Sequence, residues 1–172
     1  MPQIKMKNVR LSFPSLFRKA VFSGAETKFE GTFLLNKEEH ADTIKAIQAE
    51  IAKMLKDELK AKLPADKICL KDGDEIEYDG YAGCMSIKAS SAKRPIVIGK
   101  DKAPISEDDN VIYSGCYVNA IISLWAQNNQ FGKRINASLE AVQFAKDGEP
   151  FGDGGSKASV DDFDIIDDDE TF

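Results

Sequence analysis

The sequence predicts a mainly β protein that folds as a small antiparallel barrel with one inserted helix and a long hairpin. Apolar and polar residues alternate in several short stretches, and one amphipathic segment of helical period follows the second of them. The 172 residues, 42% of them hydrophobic, suffice for a single core. Among small barrels, this order of elements favours the five-stranded Greek-key type known as the OB fold.

The first two strands are expected at residues 3–13 and 27–35, separated by a loop-like stretch. In the first strand the alternation slips by one residue at Asn8, which indicates a β-bulge. We assign Phe13, Phe29 and Phe33 to the core of these strands.

The helix is expected to follow directly after the second strand. Asn36 and Glu39 are spaced like an N-cap and its partner, and apolar residues then recur at helical spacing. The helix should end near Leu63, because Pro64 cannot continue it. Two further strands are expected at residues 81–89 and 95–99.

The longest β pattern lies near the C-terminus and predicts a hairpin. We place its turn at Asn128 and Asn129, because asparagine tolerates positive φ. This register puts one set of residues on the core face: Cys116, Val118, Ala120, Ile122, Ile135, Ala137, Leu139 and Ala141. The opposite face is aromatic and polar: Tyr117, Asn119, Ile121, Ser123, Trp125, Gly132, Arg134, Asn136, Ser138 and Glu140.

Charge is divided unevenly along the chain. Seven of the 29 acidic residues lie within residues 161–172, so the rest of the chain carries 22 acidic and 23 basic residues. A nearly neutral body can hold a basic groove that the bulk pI of 4.9 conceals. The Gly-rich stretch and the acidic run predict a flexible linker and tail over residues 147–172, after a folded domain over residues 1–146.

Several classes of protein are disfavoured. Long apolar segments and a signal sequence are absent from the sequence, so we expect a cytoplasmic protein without membrane contact. Cys69, Cys84 and Cys116 are odd in number and far apart, which favours free thiols over disulfides or zinc. With His40 alone and without a catalytic motif, neither an enzyme nor a cofactor or metal site is expected.

The hairpin face and its basic neighbours predict binding of single-stranded DNA, because bases stack on exposed rings while cations track phosphates. Aromatic residues on strands also pack against their neighbours. For each ring considered alone, a packing role in place of DNA binding remains an open alternative. The candidate stacking residues are Trp125, Tyr117, Tyr113 and Phe131. The candidate phosphate-binding residues are Arg134, Lys133, Lys88, Lys93 and Arg94, with Lys5, Lys7 and Arg10 as weaker candidates.

Longer stretches of the chain carry a family resemblance: RLSFPSLF, KFEGTFLLNKEE, LKDGDEIEYDGYAGCMSIKASSAKRPIVI and VIYSGCYVNAIISLWAQNNQFGKRINASLEAVQFAKDGEPFG. Together with the acidic end, they resemble the phage OB-fold single-stranded DNA-binding proteins, with SAKRP, YSGCYV and KDGEPFG as the more specific pieces. The resemblance implies a role in phage DNA replication or recombination.

It also implies that the acidic tail docks on replication or recombination proteins with its terminal ring buried. The tail residues concerned are Asp167, Asp168, Asp169, Glu170 and Phe172. Because a tethered polyanion competes for a cationic groove at high effective concentration, the tail should also compete with DNA.

Three other functions remain open at this point. The chain could be a strand-annealing recombination factor, a protein-interaction module whose tail mimics DNA, or, more remotely, a metal-dependent nuclease. A homodimer formed through an edge strand or a swapped tail is also open, as are the site size and the preference among DNA, RNA and duplex.

Overall fold

The computed structural model describes residues 2–78 and 80–151. Within these residues, four strands precede one α-helix (α1) and five strands follow it. In order they are β1 Gln3–Ser15, β2 Val21–Phe22, β3 Ala25–Glu26, β4 Phe29–Asn36, α1 Ala41–Met54, β5 Leu70–Asp72, β6 Cys84–Ser91, β7 Ile96–Ile98, β8 Tyr117–Asn129 and β9 Gly132–Lys146.

Five of these strands close a barrel in the order β6, β4, β1, β8, β9. The barrel is antiparallel except at its seam, where β6 pairs in parallel with β9 at Ser90 and Ser138. β5 extends the sheet beside β6, and β7 extends it beside β9. The expected OB-fold-like barrel with one inserted helix is confirmed.

The first strand contains the bulge expected at Asn8. The pairing of β1 with β8 shifts between Met6 and Val9, and Asn8 takes a φ of 54°. Its backbone N–H donates to Oδ1 of Asn119 at 2.9 Å, so the bulge is held by a side chain of the neighbouring strand.

The helix starts later and ends earlier than expected. Oδ1 of Asn36 accepts the N–H groups of Glu38 and Glu39, but these residues form a turn ahead of the helix, which begins at Ala41. A π-helical turn at Leu55–Leu59 follows, and Lys60 then adopts a left-handed conformation with φ 49°, which ends the element before Pro64. The helix packs its apolar stripe into the barrel core through Ile44, Ile47, Ile51 and Met54.

In residues 2–78 and 80–151, no helix is long and apolar enough to cross a membrane. The three cysteines are free thiols, with Cys116 buried and Cys69 and Cys84 half-buried.

The prediction that the hairpin turn lies at Asn128 and Asn129 is wrong. Asn129 pairs with Gly132, so Gln130 and Phe131 form the turn, and Trp125 faces Asn136 rather than Gly132. Gly132 determines where the turn lies, because its backbone takes a φ of 108°. This conformation has a lower free energy for glycine than for asparagine. Oδ1 of Asn129 accepts the N–H of Phe131 at 2.9 Å and holds the turn in place.

The predicted core face survives this error because the pairing is displaced by four residues, an even number. Seven of its eight members are buried: Cys116, Val118, Ala120, Ile122, Ile135, Ala137 and Leu139. The exception is Ala141, which is half-buried, because a bulge near Glu140 transfers the inward position to Val142.

The loop predicted between the first two strands contains a short hairpin of its own. β2 and β3 pair with each other across Ser23 and Gly24, which take φ values of 52° and 80°. Both φ values are positive, as in the type I′ turns that match the twist of a tight hairpin.

Candidate nucleic-acid interface

An open groove of about 450 Å³ crosses the outer face of β4, β6 and β9. It exists because Ile87 and Ala89 of β6 point into the barrel, which leaves their neighbours Lys88 and Ser90 on the outer face. Across the seam, β9 adds Arg134 and Asn136 to the same surface, and β4 adds Thr32. The floor of the groove is therefore polar and basic.

One end of the groove is aromatic. The ring of Tyr78 lies 5.1 Å from that of Phe13 and 5.4 Å from that of Tyr81, in edge-to-face contacts. Tyr81 is buried and its hydroxyl donates to Oγ of Ser12 at 2.9 Å, whereas Tyr78 remains 51% exposed. Tyr78 is thus a ring supported from behind and open to a ligand.

Phe13 reaches this end because its backbone is left-handed, with φ 49°. This conformation takes its side chain out of the barrel core and into a smaller cluster with Leu34, Tyr81 and Phe151. The assignment of Phe13 to the core is therefore wrong, whereas Phe29 and Phe33 are buried as expected.

The other end of the groove is a recess beside Trp125. The recess shares Ser90 and Asn136 with the groove and adds Lys28 and Gln127. Nδ2 of Asn136 donates to Oε1 of Gln127 at 2.9 Å, so the polar floor beneath the half-buried indole is ordered.

Basic residues outnumber acidic ones along the groove and its recess. Nζ of Lys88 lies 3.2 Å from the Glu30 carboxylate, and a guanidinium N–H of Arg134 donates to the carbonyl of Asp66 at 3.2 Å. Among the described residues that line the groove and recess, the bases are Lys28, Lys67, Lys71, Lys88 and Arg134, and the acids are Glu30 and Asp66. The excess positive charge suits a polyanion.

Cys69 also lines the groove. Burial raises the pKa of its thiol to about 11, so the sulfur stays protonated at neutral pH and contributes no charge.

Three of the residues predicted from the sequence meet in this groove and its recess: Trp125, Lys88 and Arg134. Phe131 lies at the tip of the long hairpin and is 79% exposed. Lys133 extends to the end of the helical segment, where its Nζ donates to the carbonyl of Leu59 at 3.0 Å.

Lys93 and Arg94 lie in the loop after β6. Lys93 is exposed and its N–H donates to Oγ of Ser91, at the edge of the Trp125 recess. The guanidinium of Arg94 lies 5.9 Å from the ring centroid of Phe29, and Arg94 lines a different cleft together with Ile96.

Tyr113 and Tyr117 lie elsewhere, against residues 147–151, which we call the strap. The Tyr113 hydroxyl donates to the Asp147 carboxylate at 2.9 Å and accepts the N–H of Gly148 at 3.0 Å. Nζ of Lys146 lies 4.8 Å from the ring centroid of Tyr117. Both rings therefore have partners within the chain.

Arg10 holds the strap in place. Its guanidinium donates to the carbonyls of Gly115 at 3.1 Å and Glu149 at 2.5 Å, and it lies 4.0 Å from the ring centroid of Phe151. Phe151 is buried beside Tyr81. The start of the segment expected to be a flexible linker is thus packed on the barrel. The acidic tail residues Asp167, Asp168, Asp169, Glu170 and Phe172 lie outside the described residues.

The sequence did not predict that four further residues lie on the surface near the groove: Phe13, Tyr78, Lys28 and Phe22. For Phe22 a signal was present, since Ser-Gly between two short apolar stretches is a turn signature. For Tyr78 the sequence offered no such signal, because Tyr78 lies in an acidic loop that only the tertiary fold brings beside β4 and β6.

Comparison with known proteins places this geometry in a family. Residues 2–172 match the model of the single-stranded DNA-binding protein of Enterobacter phage Enc34. The chain belongs to this family. The resemblance expected from the sequence is thereby confirmed.

Individual relatives agree with the family match. Putative protein p50 of Acyrthosiphon pisum secondary endosymbiont phage 1 is 40% identical over 95% of this chain and 94% of its own length. The single-stranded DNA-binding protein of bacteriophage Enc34 in complex with single-stranded DNA is 34% identical over 87% of this chain and 89% of that one, with a TM-score of 0.79. The single-stranded DNA-binding protein gp2.5 of bacteriophage T7, 11% identical over 92% of this chain and 99% of that one with a TM-score of 0.51, shares the fold.

Proposed function

We propose that this chain is a sequence-independent, non-enzymatic single-stranded DNA-binding protein. The observation that carries the proposal is the groove, in which the exposed ring of Tyr78 lies at one end of a basic floor and the half-buried ring of Trp125 at the other. Its relative from phage Enc34, solved in complex with single-stranded DNA, supports the same conclusion.

The chemistry of the groove favours single strands over duplexes. Tyr78 and Trp125 can stack only on bases that are not already stacked within a duplex, and every base has a face to offer. Lys88 and Arg134, between the rings, would neutralise phosphates without reading bases. Binding of this kind depends on salt and tolerates any sequence.

The biological setting that we propose is phage DNA replication and recombination in the host cytoplasm, where the protein would protect and organise single strands. The acidic tail would recruit replication or recombination proteins through Phe172 and compete with DNA for the groove. Anchoring of Phe151 beside Tyr81 supports this competition, because the tail then starts near the Tyr78 end of the groove. We accordingly propose that the boundary between barrel and tail follows Phe151.

The test is a titration of the full chain with single-stranded and duplex oligonucleotides at two salt concentrations, followed by tryptophan fluorescence. Trp125 is the only tryptophan, so its signal reports on the recess alone. Tight single-strand binding that quenches Trp125 is expected, with much weaker binding of duplex. If neither oligonucleotide binds, the function is wrong and a protein-interaction module takes its place.

The tail is tested by the same titration with a chain that ends at Ser159. This chain should bind single strands more tightly than the full chain, with the larger gain at low salt, because the competing polyanion is gone. Equal affinity of the two chains would reject the competition while leaving DNA binding intact.

A further inference from the structure

The β2–β3 hairpin presents an unusual surface for so small an element. Val21 is 67% exposed and Phe22 is 76% exposed, although both are large hydrophobic residues. Within the described residues, the two strands pair only with each other. The hairpin therefore presents an aromatic ring whose exposure is not explained by packing among residues 2–78 and 80–151.

The base of the hairpin is closed by hydrogen bonds between its own two arms. The N–H of Ala20 donates to the carbonyl of Lys28 at 2.8 Å, and the N–H of Thr27 donates to the carbonyl of Ala20 at 2.7 Å. The hydroxyl of Thr27 donates to the same carbonyl at 3.1 Å. Between this base and the tight turn at Ser23 and Gly24, Phe22 pairs with Ala25 across the hairpin.

The hairpin borders the proposed DNA path. Val21 and Phe22 line a cleft together with Lys28, Lys88 and Ser90. Lys88 belongs to the floor of the groove, whereas Lys28 and Ser90 also line the Trp125 recess. The cleft beside Phe22 and the recess beside Trp125 thus share Lys28 and Ser90.

We propose that the hairpin is an arm that closes over bound single-stranded DNA, with Phe22 stacked on a base held next to Trp125 and Lys28 on an adjoining phosphate. This inference rests on the proposed function. An exposed ring beside two lysines and a hydroxyl has the chemistry of a nucleotide site, because the ring takes the base and the cations take the phosphate.

The first test compares Phe22→Ala with the unaltered full chain by anisotropy of a labelled oligothymidylate. Loss of one stacked base should weaken binding about fivefold or more, with the salt slope unchanged. Phe22→Tyr keeps the ring and should restore affinity. The control is Ile96→Ala, which removes a similarly exposed side chain (64%) from a different cleft and should bind like the unaltered chain.

The second test places the reporter on the arm, with Phe22→Trp in a Trp125→Phe background. Addition of oligothymidylate should quench the fluorescence of the new tryptophan. If anisotropy shows binding while this fluorescence stays constant, the base does not reach the arm and the proposal is overturned.

The outcomes separate the arm from the function of the groove. Failure of the unaltered chain to bind would overturn the proposed function and the arm with it. Binding that Trp125→Ala weakens and Phe22→Ala leaves unchanged would overturn the arm alone. Because Phe22 is exposed, equal melting temperatures of Phe22→Ala and the unaltered chain should confirm that any loss arises at the interface.

Discussion

Two regions of this molecule combine aromatic rings with cations, and they use them in opposite ways. In the Arg10 patch, made of Arg10, Tyr117, Lys146 and Phe151, the cations face rings of their own chain, and Arg10 also donates to the strap carbonyl of Glu149. In the groove, Tyr78 and Trp125 remain open beside Lys88 and Arg134. Residue type is the same in both regions; what differs is whether cations of the chain itself lie over the rings, as they do in the Arg10 patch.

The largest effect is expected from removal of the ring that closes the Arg10 patch. Phe151→Ala empties a buried position between Tyr81, Leu34 and the Arg10 guanidinium, and should lower the free energy of unfolding by about 3 kcal/mol. Urea denaturation measures this loss. Phe131→Ala is the control, because that ring is 79% exposed and its removal should change stability by less than about 0.5 kcal/mol. Equal stability of the two variants would mean that the patch is not closed.

The next effect should appear in DNA binding and only in the groove. Trp125→Ala and Tyr78→Ala should each weaken single-strand binding by about 1–3 kcal/mol, with little change in its salt dependence. Tyr117→Ala is the matched control in the Arg10 patch and should bind nearly as the unaltered chain does. A loss for Tyr117→Ala as large as that for Trp125→Ala would remove the distinction between the two regions.

A smaller effect is expected from single cations. Arg134→Ala should reduce the slope of log affinity against log salt by about 0.7, the value for one phosphate contact on a single strand. Lys146→Ala removes the same charge from the Arg10 patch, where Tyr117 already holds it, and should change the slope much less. Equal slopes for these two variants would contradict a phosphate contact at Arg134.

The smallest effect concerns the loop that carries Tyr78. Nζ of Lys37 bridges the carboxylates of Asp72 and Asp74 at 2.8 and 2.7 Å, and Asp74 accepts the N–H of Gly83 at 2.8 Å. Hydrogen bonds from Lys37 to Asp72 and from Gly83 to Asp74 lower the pKa of these carboxyls below the ordinary value of 3.8, and the hydrogen bonds of Lys37 to Asp72 and Asp74 raise the pKa of the Lys37 ammonium.

Because the carboxyl pKa values are lowered by folding, this contribution is present above pH 3.8 and is lost as the pH falls below it. Hydrogen exchange of the Gly83 amide, normalised to its intrinsic rate, should therefore show protection at neutral pH that disappears in acid. Lys37→Met should speed this exchange already at neutral pH. Protection that persists at pH values well below 3.8 would show that the carboxylates do not hold the loop.

Some of the site was predictable because it depends on local alternation. The outward position of Trp125 and Arg134 follows from the period of two along a strand, and it survived a turn placed at the wrong residues. Phe13 was not predictable in this way, because a left-handed φ reversed its side chain against the alternation around it. Tyr117 alternates in step with Trp125, yet the strap reaches only one end of β8 and occupies Tyr117 there.

The sequence by itself thus determined the types of the main barrel strands and of the helix, the bulge at Asn8, the core face of the long hairpin and the membership of the family. Only the tertiary structure decided which of the aromatic and basic residues share one groove. The alternation of side chains is a property of each strand alone. The groove, in contrast, depends on the closure of β6 against β9, on a loop folded over β4 and on the strap, which are contacts between residues far apart in the chain.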